Sequence, residues 1–191
     1  MKIIDNVMPE VMQDQLHDIC TQPDFMWSFL LDATYDKREE AIVGAMNKPK
    51  YPSFSHIAIK DYAPRTQVAA LMSSHMLCMT DKAGLDPTTL YRARLGLYLP
   101  IRDAPLHNNI HVDLKVPHTV VLYYVNDADG DTFFFDRNRE VVERITPKKG
   151  TMVVFDGTTL HASSMPTVNH RISLNLGYVN HQYMQNNNQK M

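Results

Sequence analysis

Residues 119–135 read Thr-Val-Val-Leu-Tyr-Tyr-Val-Asn-Asp-Ala-Asp-Gly-Asp-Thr-Phe-Phe-Phe. A run of β-branched and aromatic residues, 119–125, stops at an Asn/Asp/Gly cluster, 126–130, and a second such run, 132–135, follows. Branched and aromatic side chains suit a pleated strand, and Asn, Asp and Gly tolerate the dihedrals of a turn. The stretch therefore reads strand, turn, strand. The same pattern extends in both directions. Upstream, 90–99 alternates, with Arg92, Arg94, Gly96 and Tyr98 on one face and Tyr91, Ala93, Leu95, Leu97 and Leu99 on the other. A short strand is expected over 109–112. Downstream, 140–145, 151–155 and 171–179 are strand-like, separated by turn signals at 136–138, 147–150 and 156–159. Seven or so short strands at close spacing predict an antiparallel sandwich or jelly roll.

The first part of the chain has a helical texture. Over 9–19, Val11, Met12, Leu16 and Ile19 recur at helical spacing, and Pro9 suits a first turn. Over 66–82, Val68, Leu71, Met72, His75, Met76 and Met79 form one stripe, with Gly84 as the stop. A Met-rich stripe is a packing surface, and His75 on it reads as a core histidine. These helices are expected to cover the outside of the jelly roll. Residues 32–52 are polar and punctuated by Gly44, Pro49 and Pro52, as in a lid or a long connection. The Asn/Gln-rich tail, 181–191, is expected to fray. The fold class is thus mainly β with flanking helices, in one domain spanning 1–191. Its parts are a helical portion of about 1–89, a jelly-roll core of about 90–180 and the tail.

Composition narrows the function. At 191 residues with 44% hydrophobic residues, the chain can build its own core. A net charge of −2 gives no field for non-specific nucleic-acid binding. No apolar run approaches the roughly 18 residues of a membrane span. Cys20 and Cys78 cannot form a disulfide framework, and the N-terminus carries no signal-peptide pattern, so a cytoplasmic location is expected.

Three features carry chemistry. His111-Val112-Asp113 places an imidazole and a carboxylate at i and i+2, on one face of a strand. The pattern alone is weak, since nine histidines in a chain with 21 acidic residues out of 191 give about one such match by chance. By itself it reads more readily as a surface His and Asp. A third ligand would come from a distant strand, and His161, after the 151–155 strand and its turn, is placed for that. Two His and one Asp would leave positions open on a metal, as in a facial triad, whereas structural zinc prefers four protein ligands. Arg171 starts the alternating strand Arg-Ile-Ser-Leu-Asn-Leu, sharing a face with Ser173 and Asn175. An Arg pointing into a barrel needs a carboxylate, which a dicarboxylate ligand would supply. A local Asp, or exposure at the sheet edge, would serve as well.

Taken in order, these residues resemble the 2-oxoglutarate- and Fe(II)-dependent oxygenases, in particular the prolyl 4-hydroxylase-like branch. The resemblance runs from about residue 90 to 178. It rests on Tyr98 in Leu97-Tyr98-Leu99-Pro100, His111-x-Asp113, Leu122-Tyr123-Tyr124-Val125-Asn126 and Gly130-Asp131-Thr132-Phe133. Pro147-Lys148-Lys149-Gly150 leading into Val153-Val154-Phe155, then His161 and Arg171, complete it. It implies a double-stranded β-helix core, with His111, Asp113 and His161 holding Fe(II) and Arg171 gripping the distal carboxylate of 2-oxoglutarate. Tyr124 would bond that carboxylate, Tyr98 would line the pocket, and Thr132 and Ser173 would add hydroxyls. The implied cofactors are Fe(II), 2-oxoglutarate and O2, with ascorbate as an optional addition. The implied reaction is hydroxylation of an unactivated C–H with release of succinate and CO2. A peptidyl prolyl residue is the leading substrate, and a free amino acid or small metabolite the alternative. Two departures stand out. The usual Gly-Gly before the Thr is Gly130-Asp131, and Arg171 replaces the Lys of many collagen-type members.

Other readings fit less well. His107-x-x-x-His111 has zincin spacing, but Asn108 stands where that motif needs Glu. A nucleic-acid demethylase would resemble Arg-x5-Arg, and the second position is Gly177. A non-enzymatic jelly-roll binding module would leave the triad and Arg171 decorative. The loop 100–109 and the segment 32–52 are candidate substrate-side elements, and His107 reads as a loop histidine.

Overall fold

The computed structural model describes residues 1–31, 51–114 and 116–180. The expectations for most of 32–52 and for the tail lie outside the described residues. Eleven strands are found there, β1 Lys2–Ile4, β2 Ser28–Leu30, β3 Ser53–Lys60, β4 Ala63–Pro64, β5 Leu90–Tyr98, β6 Thr119–Tyr124, β7 Thr132–Phe135, β8 Val141–Ile145, β9 Met152–Asp156, β10 His161–Ser163 and β11 Arg171–Tyr178. Three α-helices accompany them, α1 Glu10–Thr21, α2 Val68–Leu71 and α3 Ser73–Ala83. The large sheet runs β1-β9-β6-β11-β5-β3-β2, with β4 added to β3, and a smaller sheet runs β10-β7-β8. Each strand pairing is antiparallel.

The large sheet is covered on both faces, and alternation decides which residue goes where. In β6, Val121 and Tyr123 join a core with Leu16, Met72, Met76 and Met79 of the helices. Val120, Leu122 and Tyr124 turn inward to a second core with Phe134, Ile145, Val153 and Phe155, between the two sheets. The same alternation in β11 sends Ile172, Leu174 and Leu176 to the helix side. Arg171, Ser173 and Asn175 line the internal cavity.

The structure corrects several expectations. Residues 1–89 are not purely helical, because they also supply β1 to β4. β3 escapes a hydrophobicity pattern because Ser53, Ser55 and His56 are among its buried residues. The helix over 66–82 breaks at Met72 (φ −97°, ψ 5°), which is fully buried and divides α2 from α3. Leu71, about 100° round the helix from it, is 61% exposed and leaves the stripe. His75 is a core histidine whose ring bonds the Met12 carbonyl at 3.0 Å. Gly84 ends α3 in the left-handed region (φ 71°).

Residues 109–112 form no strand. His111 makes only an isolated bridge, exchanging both backbone hydrogen bonds with His161 at 3.0 Å. A further strand, β10, begins at His161 itself. The Gly130-Asp131 turn is tightly built. A Cβ on Gly130 would stand 2.8 Å from the Pro166 nitrogen and 2.9 Å from the Ser164 oxygen. Asp131 is buried, its N–H donates to Ser164 Oγ at 2.8 Å, and its carboxylate pairs with Arg144.

Candidate active site

The bridge between His111 and His161 draws the irregular 109–114 segment onto the start of β10. The possible ligand atoms of His111, Asp113 and His161 then all lie within 4.8 Å of one another. Each imidazole is oriented by its own segment. His111 Nδ1 lies 3.0 Å from the Asn109 carbonyl, and His161 Nδ1 lies 2.9 Å from the Thr159 carbonyl. A carbonyl can only accept, so Nδ1 carries the proton in both rings and each Nε2 keeps a free lone pair, the tautomer a metal needs. Phe155 packs edge-on against the His161 ring, with centroids 5.2 Å apart, and Phe134 lies beyond it.

Asp113 is held at both oxygens. Arg92 Nη2 donates to Oδ1 at 2.8 Å, and Asn175 Nδ2 donates to Oδ2 at 3.1 Å. Burial disfavours its charge, but the Arg92 guanidinium outweighs this, by its charge and its hydrogen bond, and holds the carboxyl well below the usual carboxylate range. Burial, with His111 adding to it, lowers the His161 pKa. The cluster thus offers two imidazole nitrogens and an ionised carboxylate, a donor set that fits Fe(II) with open positions.

Across the same cavity lies Arg171, 2% exposed. Its Nη2 donates to Thr132 Oγ1 at 2.9 Å, while Nε and Nη1 have no partner. No carboxylate pairs with it among the described residues. The guanidinium lies over two rings, 5.2 Å from the Tyr98 centroid and 5.8 Å from that of Tyr124. The Tyr124 hydroxyl also donates to Thr132 Oγ1, at 2.8 Å, and burial raises its pKa. An isolated buried cation with two unmet donor groups is strongly disfavoured. A carboxylate entering the cavity would satisfy charge and donors together.

All eight residues singled out from the sequence are drawn together here. His111, Asp113, His161, Arg171, Tyr98, Thr132 and Ser173 line the one cavity, and Tyr124 adjoins it through Thr132. His107 is not among its lining residues, and its ring packs on Phe135 at 4.9 Å. Sequence reasoning gave no role to Arg92, Asn175, Arg94 or Ser163. Arg92 and Asn175 bond Asp113, and Ser163 donates to the Tyr98 hydroxyl at 3.4 Å. The signal for the first three was parity, since Arg92 and Arg94 share the Tyr98 face of β5 and Asn175 the Arg171 face of β11.

No protein-family model and no curated protein sequence matches the chain. Solved structures do. A prolyl hydroxylase from Trichoplax adhaerens, in complex with a hypoxia inducible factor oxygen degradation domain peptide fragment, superposes with a TM-score of 0.67 at 14% identity, over 96% of this chain and 85% of that one. A Pseudomonas putida prolyl-4-hydroxylase gives 0.57 at 17% identity, over 93% and 90%. An oxidoreductase of the 2OG-Fe(II) oxygenase family from Burkholderia pseudomallei gives 0.51 at 16%, over 87% and 90%. The chain has the fold of the 2-oxoglutarate- and Fe(II)-dependent oxygenases, a mainly β architecture with a double-stranded β-helix core. Within that class its fold is similar to that of the prolyl 4-hydroxylases. No described helix is long and apolar enough to cross a membrane.

Proposed function

We propose that this chain is a 2-oxoglutarate- and Fe(II)-dependent dioxygenase that hydroxylates an unactivated C–H. The observation that carries the reading is one cavity holding a His/His/Asp cluster and, apart from it, a buried arginine without a counter-ion. His111, Asp113 and His161 would hold Fe(II), and Arg171 would hold the distal carboxylate of 2-oxoglutarate, with Tyr98, Tyr124, Thr132 and Ser173 around it. When bound, the iron supplies O2 activation coupled to oxidative decarboxylation of the co-substrate. One oxygen atom enters succinate and the other the substrate C–H, and CO2 leaves.

The chain's own part is binding and orientation. The Asn109 and Thr159 carbonyls fix both imidazole tautomers, and Arg92 keeps Asp113 ionised. Phe155 and Leu122 supply apolar wall. A peptidyl prolyl residue leads as substrate, supported by the prolyl hydroxylase folds and by the peptide bound in the Trichoplax adhaerens structure.

Anaerobic titration with Fe(II) and then 2-oxoglutarate tests this. A weak visible charge-transfer band should appear only with both present and vanish in Asp113→Ala, which should also bind little iron. Succinate release should follow when O2 and proline-containing peptides are added. Absence of the band in the unaltered protein would sink the proposal in favour of a binding module.

A further inference from the structure

The cavity carries a second guanidinium, besides that of Arg171, that neither end of the site uses. Arg94 lies on the same face of β5 as Arg92 and Tyr98 and lines the same cavity. Its Nε donates to Ser55 Oγ at 2.8 Å, and Ser55 is itself buried on β3, so the side chain is anchored at its root. No ion pair forms on Arg94 among the described residues. Arg92, two residues earlier, has its carboxylate in Asp113.

Position separates Arg94 from the co-substrate end. In the sheet register Arg94 opposes Asn175, the residue bonded to Asp113, whereas Arg171 opposes Tyr98. Tyr98 and Arg94 are four residues apart along β5, about 13 Å at strand rise. A co-substrate bridging the metal and Arg171 has both its carboxylates committed. Arg94, half-buried, therefore lines the cavity on the Asn175 side, with no carboxylate paired to it among the described residues.

We propose that Arg94 binds a carboxylate of the substrate, so that the molecule hydroxylated is an acid held with its carboxylate beside the metal. This rests on the reading of the site as an Fe(II)/2-oxoglutarate hydroxylase and narrows its substrate class. A free amino acid and the C-terminal residue of a peptide both offer such a group. A guanidinium with its Nε already fixed loses little freedom in taking a carboxylate, and a neutral amide cannot replace the charge.

The test uses protein loaded anaerobically with Fe(II) and saturating 2-oxoglutarate, at fixed ionic strength. Calorimetry follows binding of L-proline against L-prolinamide, and of N-acetylglycyl-L-proline against its C-terminal amide, with the charge-transfer band recorded in parallel. In one pair at least, the acid should bind about tenfold more tightly than the amide. Arg94→Gln should bring the two within about twofold, and Arg94→Lys should restore part of the preference. The pair showing the effect identifies a free amino acid or a peptide terminus as the source of the carboxylate. Equal binding of acid and amide, no binding of either acid, or a preference that survives in Arg94→Gln would each overturn the proposal. A retained band in those cases leaves the co-substrate site standing, whereas no band in the unaltered protein removes the underlying reading and this inference with it.

Discussion

Ile172, Leu174 and Leu176 of β11 are packed with Met72 at the α2–α3 break and with Met76 and Met79 of α3, while Arg171, Ser173 and Asn175, one residue out of step, face the cavity. Both sets are largely buried on one strand, but they answer different demands. The first is satisfied by the protein alone, because apolar burial needs no particular partner. The second is incomplete. Arg171 keeps two donor groups unmet in the folded chain, and Asn175 completes a carboxylate that itself faces two free imidazole nitrogens. On this strand, satisfied burial marks the scaffold, and the unsatisfied burial of Arg171 marks where a ligand would fit.

The widest separation between the faces should come from Arg171→Met. Loss of a buried charge-assisted pair costs about 2–5 kcal/mol, so the 2-oxoglutarate requirement should rise by roughly 30-fold or more while iron binding persists. The ligand-free protein should be no less stable, because a buried unpaired charge is removed. Equilibrium denaturation and the anaerobic titration measure the two sides. A loss of stability with unchanged co-substrate affinity would make Arg171 a structural cation.

Leu174→Ala should do the reverse. A fully buried leucine truncated in a packed core costs about 2–5 kcal/mol of unfolding free energy, and the folded variant should bind iron and 2-oxoglutarate within a few-fold of the unaltered protein. A large drop in ligand affinity would show that the faces are not independent. Asn175→Ala is a smaller, one-sided change. Loss of a hydrogen bond to Asp113, the proposed iron ligand, should weaken iron about 10- to 100-fold, read by chelator competition, with co-substrate affinity at saturating iron unchanged.

The gentlest probe is Cys20 on the helix side. Burial pushes its thiol up to about 12, so at pH 8.5 it stays protonated in the folded protein. Iodoacetamide should reach it only on unfolding, and faster in Leu174→Ala. Labelling of native Cys20 at a free-thiol rate would contradict a sealed helix-side core.

Much of this was legible from local pattern. β5, β6, β7 and β11 follow from alternation and turn residues, and period two placed Arg171, Ser173 and Asn175 on one face because a strand allows nothing else. What escaped had its cause in other segments. β3 buries serines and a histidine whose partners come from elsewhere, as with His56 bonding the Met26 carbonyl at 2.8 Å and Thr66 Oγ1 at 2.8 Å. The α2–α3 break sits where a continuous apolar stripe gave no warning.

At the site, residue types and order along the chain already selected His111, Asp113, His161 and Arg171, because a donor set and an anion anchor are properties of side chains. That the two histidines bridge, that Arg92 and Asn175 both grip Asp113, and that Arg94 meets no carboxylate among the described residues were decided only by the tertiary structure. Those facts depend on distances between residues 21 to 62 positions apart in the chain, which strand register sets and local propensity cannot encode.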